Sequence, residues 1–136
     1  MKLFSGTFGV RTEAHIELVN VTPDVSRLVV KSGVREGIAL VYSPHTTTAL
    51  IINENESRLL SDLKGAIKDL VPWNKAYEHN LIDDNAPSHV VGAFLGGSVG
   101  LPIARGKIEL GTWQSIFLVE LDGPRSREIE VKIVGE

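Results

Sequence analysis

The chain has 136 residues, of which 43% are hydrophobic and 23% are charged, a composition typical of one globular domain. It contains no cysteine, which excludes disulfides, thiolate nucleophiles, cysteine-based zinc sites and iron–sulfur clusters. The formal net charge of −3 argues against a nucleic-acid-binding face but leaves room for a local anion pocket. Because no apolar run is long enough to span a membrane and the start lacks a targeting pattern, we expect a cytoplasmic protein without membrane partners.

Two strands and a helix are predicted at the beginning of the chain. Residues 2–8 suit a strand, and residues 12–19 alternate between apolar and polar side chains with the period of a half-buried strand. Gly9 is predicted to lie in the turn between them. A helix should begin with Thr22 as its cap and a proline in its first turn, and it should end at Gly33.

Two short apolar runs and a second helix follow. Residues 37–42 and 49–52 are predicted to be buried strands. Asn53 and Glu56 have the spacing of a capping box, and Pro72 marks the end of the helix that they start. The apolar stripe of this helix consists of Leu59, Leu60, Leu63, Ile67 and Leu70.

The second half is predicted to contain a long loop, a short helix and four strands. Residues 73–87 form a loop that is longer than a compact domain usually keeps without a functional reason. Ser88 is predicted to cap a third helix over residues 89–95. The strands are expected at 99–104, 107–110, 113–121 and 129–134. Residues 1–136 are therefore predicted to be a single α+β domain with a mostly antiparallel sheet, two main helices and a short third helix.

Polar stretches interrupt these apolar elements. Residues 43–48 read Ser-Pro-His-Thr-Thr-Thr, and such a loop can hold an anion on its hydroxyl and backbone N–H groups if it turns inward. The alternative is a solvated turn. Residues 79–89 contain two histidines, two aspartates and two asparagines, which suits a divalent cation, a general acid–base pair or a turn with Asx caps.

A third polar stretch enters the strand predicted at 113–121. Residues 111–114 read Gly-Thr-Trp-Gln. Trp113 is most simply explained as a core residue, whereas Gln114 would share a face with apolar residues and would then need hydrogen-bond partners.

A fourth polar stretch contains a tight Asp-Gly-Pro turn. Arg125 and Arg127 point the same way if the strand resumes directly after this turn, and two guanidinium groups on one face bind phosphate well. The alternative is an ordinary hairpin in which Glu120 or Asp122 pairs with one of the arginines.

Together these motifs resemble the YjbQ-like family, which is also labelled secondary thiamine-phosphate synthase. The resemblance is carried by PHTTTAL with INENE, by DDNAPSH and by GTWQSIFLVELDGPRSRE, in that order over almost the whole chain. It implies a compact α+β domain that assembles as a homotrimer. The residues that the family marks correspond to His45, Thr46, Thr47, Asn53, Glu54, His79, Asp83, Asn85, His89, Gly111, Trp113, Gln114, Glu120, Asp122, Gly123, Arg125 and Arg127.

The resemblance implies a reaction that joins a pyrimidine pyrophosphate to a thiazole phosphate, giving thiamine phosphate and pyrophosphate. Expelling pyrophosphate needs charge stabilisation on the leaving group more than it needs a covalent nucleophile, so the lack of cysteine is no obstacle. We therefore expect a small-metabolite enzyme with a phosphate- or pyrophosphate-binding pocket.

Roles are assigned to the site residues on this basis. The expected catalytic residues are His45, His79, His89 and Asn85, and the expected phosphate-binding residues are Thr46, Thr47, Thr48, Arg125 and Arg127. A divalent metal (Mg or Zn) would be held by Asp83, His79 and His89. The other expected pocket residues are Asn53, Glu54, Trp113, Gln114 and Glu120. His15 lies outside every motif and is predicted to be exposed.

Two other classes of function stay open at this point. The chain could be a non-catalytic module that binds a metal or a metabolite, because a His/Asp cluster binds a cation without any reaction. It could also be a structural assembly protein in which the polar stretches line a subunit interface. A homo-oligomer further allows a site shared between subunits.

Overall fold

A computed structural model describes all 136 residues and has the predicted order of elements. The strands are β1 (Lys2–Arg11), β2 (Glu17–Asn20), β3 (Gly37–Tyr42), β4 (Thr48–Glu54), β5 (Ser98–Ala104), β6 (Lys107–Ile108), β7 (Gln114–Glu120) and β8 (Ser126–Gly135). The helices are α1 (Thr22–Ser32), α2 (Ser57–Leu70) and α3 (Ala86–Leu95), with a 3₁₀ turn at Glu78–Leu81. The α+β class is confirmed.

The strands form two sheets in which every pairing is antiparallel. The larger sheet has the order β1-β8-β3-β5-β6, and the smaller has the order β2-β7-β4. Ile116 and Leu118 of β7 pack with the large sheet and α1, whereas Val119 and the following Leu121 pack with Ile67 of α2 and part of α3. Strand β7 is therefore buried on both faces, which explains its continuous apolar run.

The first two strands differ from their predicted bounds. Gly9 lies inside β1, paired with Glu128, and not in a turn. The chain bends at residues 14–16, so only the last residues of the alternating segment form β2. The bend is stabilised because one carboxylate oxygen of Glu17 accepts hydrogen bonds from the backbone N–H groups of Glu13 (2.8 Å) and Ala14 (3.1 Å). A side chain therefore takes donors that a longer strand would have used.

The first two helices begin near the predicted positions but with other caps. Helix α1 ends at Gly33 with a left-handed φ of 72°, as predicted. Its N-cap is Val21, because the Thr22 hydroxyl instead accepts a hydrogen bond from Ile116 N at 2.8 Å. Helix α2 is capped by Glu56, whose carboxylate accepts from Leu59 N, and the predicted capping box is wrong since Asn53 lies in β4.

The third helix begins earlier than predicted. It starts at Ala86, and Ser88 is not its cap because the buried Ser88 hydroxyl donates to the carbonyl of Leu121 at 2.6 Å. The apolar stripe of α2 is only partly buried: Ile67 is in the core, whereas Leu70 is 49% exposed. None of the helices is long and apolar enough to cross a membrane.

Candidate functional site

A polar cleft lies at the edge of the molecule where β4 begins and β7 ends. Its volume is about 470 Å³, and apart from one proline its lining is polar: Pro44, His45, Thr46, Thr47, His79, Asp83, Asn85, His89, Asp122, Arg125 and Arg127. The polar stretches at 43–48 and 120–127 meet here because β4 and β7 pair antiparallel, with Thr48 opposite Glu120. Helix α3 brings the 79–89 stretch to the same edge, since Gly92 packs directly against the carbonyl groups of this loop.

Most of the residues predicted for the site line this cleft. They are His45, Thr46, Thr47, His79, Asp83, Asn85, His89, Arg125 and Arg127. Two further predicted residues lie behind its surface. Thr48 is buried and its hydroxyl is 2.6 Å from the hydroxyl of Ser43, and Glu120 is completely buried. Both support the cleft wall from inside the protein.

The remaining predicted pocket residues lie elsewhere. Asn53, Glu54, Trp113 and Gln114 form the opposite end of the β4–β7 pair, which we call the far end. Glu54 pairs with Gln114 six residues along from the Thr48–Glu120 pair, a distance of about 20 Å. Trp113 is 72% exposed and precedes β7, so the explanation of Trp113 as a core residue is wrong. Gln114 is also exposed and is not on a buried face.

A buried ion pair joins Glu120 to Arg127 behind the cleft. Arg127 Nε donates to Glu120 Oε1 at 2.8 Å, and Arg127 Nη2 donates to Glu120 Oε2 and to the Thr47 hydroxyl. Burial raises the pKa of Glu120, but hydrogen bonds from Arg127, Asp122 N and the Thr12 hydroxyl outweigh burial and hold that pKa below the ordinary value. Arg127 Nη1 has no acceptor in the chain, so it is available to a ligand in the cleft.

The loop before β4 adds backbone donors to the same wall. The carbonyl of Thr47 accepts from Leu121 N at 3.1 Å, which fixes the loop against the end of β7. The N–H groups of Thr46 and Thr47 have no acceptor within the chain. Unpaired N–H groups next to guanidinium groups favour an anionic ligand.

A chain of hydrogen bonds orients His79. Asp122 Oδ2 accepts from Arg125 Nη2 at 3.1 Å and from Asn85 Nδ2 at 2.8 Å. Because a carboxylate only accepts, the Asn85 amide nitrogen faces Asp122 and its oxygen faces His79 Nε2, 3.2 Å away. His79 Nε2 therefore carries a proton, which leaves Nδ1 as the nitrogen that can exchange one. The His89 ring stands edge-on to the His79 ring, with centroids 4.8 Å apart.

His45 is held by the large sheet. Strand β3 pairs with β8 as far as Tyr42 opposite Glu130, and two residues further along β8 the His45 ring contacts the backbone of Glu128. Its Nε2 is 3.0 Å from Glu128 N and 3.1 Å from Glu128 O. This nitrogen accepts when unprotonated and donates when protonated, so Nδ1 is the nitrogen left for a ligand.

The residues predicted as metal ligands do not form a ready metal site. No group of three or more histidine and carboxylate side chains in the chain is arranged to hold a metal ion. Asp83 is exposed, and a hydrogen bond from Asp84 N is the main cause that lowers its pKa. The assignment of Asp83, His79 and His89 to a divalent metal stays a prediction.

Sequence reasoning did not identify every residue of the site. Asp122 lines the cleft, although it was considered only as an ion-pair partner and a family-marked position. Thr12 is completely buried and bonds to Glu120, yet nothing in the alternating pattern around it distinguishes this threonine from other strand residues. His15 is exposed, as predicted.

The fold and the cleft define a class of small α+β proteins in which two antiparallel sheets carry a polar cleft, lined by arginine, histidine and threonine side chains, at one edge. The chain belongs to the family described as UPF0047 protein YjbQ-like, which it matches over residues 6–136. The recognition made from the sequence motifs is confirmed.

Individual relatives agree with this membership. The chain is 47% identical over 136 residues to a UPF0047 protein of Methanothermobacter thermautotrophicus, covering 100% of this chain and 95% of the relative. A crystal structure of a YbjQ-like protein of unknown function from Sulfolobus solfataricus P2 has a TM-score of 0.97 and 44% identity, covering 99% of each chain. A hypothetical protein from Aeropyrum pernix K1 has a TM-score of 0.95 and 38% identity, covering 98% of this chain and 99% of the other.

Proposed function

We propose that the cleft binds the phosphate or pyrophosphate group of a small metabolite and that the chain is an enzyme acting on that metabolite. The supply of unused donors on one wall carries the proposal. Arg127 Nη1 and the N–H groups of Thr46 and Thr47 have no acceptor within the chain, and Arg125 lines the same cleft. Guanidinium and backbone N–H groups are the groups that bind phosphate oxygens in proteins.

The specific reaction that we propose is the formation of thiamine phosphate. The carbon–oxygen bond of a pyrimidine pyrophosphate breaks, pyrophosphate leaves with the electron pair, and the thiazole nitrogen forms the new carbon–nitrogen bond. Negative charge accumulates on the leaving group, so donors fixed in place before the reaction lower the barrier. Arg125 and Arg127 supply positive charge for this step, and protonated His79 can donate from Nδ1 because Asn85 holds its other nitrogen.

Calorimetric titration with inorganic pyrophosphate and inorganic phosphate tests the binding half of the proposal. We expect Arg125→Gln to weaken pyrophosphate binding about tenfold, because it removes one charge-assisted contact. Arg27→Gln is the matched control, since Arg27 is an exposed arginine paired with an aspartate three residues earlier, like Arg125, but it lies on α1. Absence of binding of both anions to the unmodified protein would contradict the proposal.

Assays of thiamine-phosphate formation test the catalytic half. We expect His79→Ala to lower turnover about a hundredfold, the smaller end of the usual contribution of general acid catalysis. His45→Ala and His89→Ala test the other two cleft histidines, and His15→Ala is the control because His15 is exposed and outside the cleft. Unchanged turnover in all three cleft variants would exclude these histidines as catalytic residues.

A non-catalytic module that binds a metal or a metabolite is the alternative. Asp83, His79 and His89 line one cleft, which supports cation binding even though they form no ready site. Elemental analysis of protein purified without chelator separates the two functions. Stoichiometric metal together with no turnover on any phosphorylated substrate would favour the binding module.

We also propose that the chain works as a homo-oligomer, a trimer as the family resemblance implies. The outer face of the large sheet supports this, since Ile38, Leu40 and Tyr42 of β3 are 58%, 43% and 45% exposed. Apolar side chains exposed together on a sheet face are typical of an interface. Light scattering that gives the mass of one chain at micromolar concentration would contradict the proposal.

A further inference from the structure

We infer that Thr12 is a positioning residue: its buried hydroxyl fixes Arg125 and Arg127 relative to each other, so that the cleft selects diphosphates over single phosphates. This inference rests on the proposed anion-binding function and adds to it a residue outside the cleft that sets the choice between diphosphates and single phosphates. Thr12 does not line the cleft, and it belongs to none of the polar stretches.

The hydroxyl of Thr12 has three neighbours and one proton. It is 2.8 Å from Glu120 Oε1, 3.0 Å from Arg125 O and 2.8 Å from Arg125 N. Arg125 N donates to the hydroxyl, and Arg125 O already accepts from Thr12 N at 2.9 Å. The hydroxyl proton is therefore assigned to Glu120, which can only accept.

On one side this hydroxyl acts on Arg127 through Glu120. The carboxylate of Glu120 uses one oxygen for Arg127 Nε and Thr12 and the other for Arg127 Nη2 and two backbone N–H groups. The side chains of Thr12, Glu120 and Arg127 are all buried. The guanidinium group therefore has one orientation, with Nη1 available to the cleft. Removing the Thr12 hydroxyl takes one hydrogen-bond donor away from Glu120 Oε1, so the carboxylate that orients the Arg127 guanidinium is held less firmly.

On the other side the hydroxyl acts on the backbone of Arg125. Both backbone polar groups of Arg125 bond to Thr12, which holds the residue where the turn enters β8. The Arg125 side chain then extends to Asp122, with Nε 2.9 Å from the Asp122 carbonyl. Thr12 therefore fixes the backbone of Arg125 and, through Glu120, the guanidinium group of Arg127.

A fixed separation between two guanidinium groups distinguishes two kinds of anion. A single phosphate is satisfied by one guanidinium group, whereas the two phosphate groups of a diphosphate need two groups at a matching distance. Loosening either arginine should therefore weaken diphosphate binding more than phosphate binding. This difference separates positioning from a general contribution of Thr12 to stability.

The test is the ratio of the dissociation constants for inorganic phosphate and inorganic pyrophosphate, measured by calorimetry at one ionic strength. We expect Thr12→Val to lower this ratio about tenfold, and Thr12→Ser, which keeps the hydroxyl, to retain it. Arg27→Gln should change neither constant. An unchanged ratio in Thr12→Val, or a ratio lost in Thr12→Ser, would overturn the inference while leaving the proposed anion site intact.

A measurement on the unmodified protein covers the case in which Thr12→Val does not fold. We expect the NMR signals of the Nε–H groups of Arg125 and Arg127 to shift together, at the same pyrophosphate concentration, because one ligand contacts both. Shifts at only one arginine would overturn the inference and keep the binding proposal. No binding of either anion would overturn both.

Discussion

The two ends of the β4–β7 pair, the far end and the cleft end where Thr48 lies opposite Glu120, are both rich in polar side chains. They differ in whether those side chains are buried and hydrogen-bonded. At the cleft end Glu120 is completely buried and bonds to Arg127, which is 7% exposed. At the far end Trp113 is 72% exposed, and the side chain of Gln114 makes one hydrogen bond, in which its Oε1 accepts from Gly111 N at 2.8 Å. A buried polar group destabilises the protein unless it has hydrogen-bond partners. The side chains of the cleft end have such partners and are held in fixed positions, whereas those of the far end are exposed to water and are not held in this way.

The largest effect that separates the two ends is expected from the buried ion pair. Glu120→Gln leaves the Arg127 guanidinium buried without its counter-charge, and we expect the free energy of unfolding to fall by about 3–5 kcal/mol. The same change at the far end, Glu54→Gln, should alter it by less than about 0.5 kcal/mol, since Glu54 has no ion-pair partner. Urea denaturation of the two variants measures both values. Equal losses would mean that burial does not distinguish the two ends.

Acid should destabilise the protein through the same pair. The pKa of Glu120 is lowered in the folded state, so its contribution to stability is present above the ordinary glutamate pKa of about 4.3 and is lost as the pH falls through the folded pKa. We expect the unmodified protein to lose more stability than Glu120→Gln as the pH falls from about 6 to about 3. Urea midpoints measured at several pH values would show this. Parallel curves for the two proteins would contradict it.

A smaller effect is expected where α3 is attached to the cleft end. Ser88→Ala removes the buried hydroxyl that donates to Leu121 O, and we expect a loss of about 1–2 kcal/mol because a buried carbonyl then loses that donor. Ser115→Ala on the far half of β7 is the control and should change stability by less than about 0.5 kcal/mol, because Ser115 is only half-buried. A loss in Ser115→Ala as large as that in Ser88→Ala would remove the distinction.

The smallest effect is expected at Trp113 itself. Trp113→Ala removes a side chain that is 72% exposed, so we expect a change in stability of less than about 0.5 kcal/mol and no change in pyrophosphate affinity. Calorimetric titration of this variant beside Arg125→Gln checks the second expectation. A clear loss of affinity would contradict the separation of the far end from the cleft.

The order of the helices and strands could be predicted from the sequence more accurately than the residues at which they begin and end. The order of elements followed from apolar periodicity and from glycine and proline positions such as Gly33 and Pro72. The bounds failed where a side chain takes over a backbone partner: Glu17 shortens β2, and the Ser88 hydroxyl bonds to Leu121 instead of capping α3. The Ser88 contact joins residues far apart in the chain, which local patterns do not contain. The Glu17 contact is local, but it is a side-chain bond to the backbone that an alternating apolar pattern does not show.

The candidate site could be predicted in its composition but not in its extent. The motifs supplied the cleft residues, since polar stretches between apolar elements tend to meet at the ends of strands. The antiparallel register of β4 and β7 then separated Trp113 and Gln114 from the cleft, because the beginning of β7 lies opposite the end of β4. Thr12 was missed since its importance lies in burial and bonding, and a single threonine in a strand-like segment signals neither.

The contact between the His45 ring and the backbone of Glu128 links ligand binding in the cleft to a measurable hydrogen-exchange rate. Other residues of β8 pair with the flanking strands, whereas the backbone N–H of Glu128 donates to the His45 imidazole. The protection of this N–H group from hydrogen exchange therefore depends on a side chain of the cleft. A ligand that turns or protonates the ring would change the exchange rate of that one main-chain proton. Occupancy of the cleft can therefore be followed from the edge of the sheet without any label on the ligand.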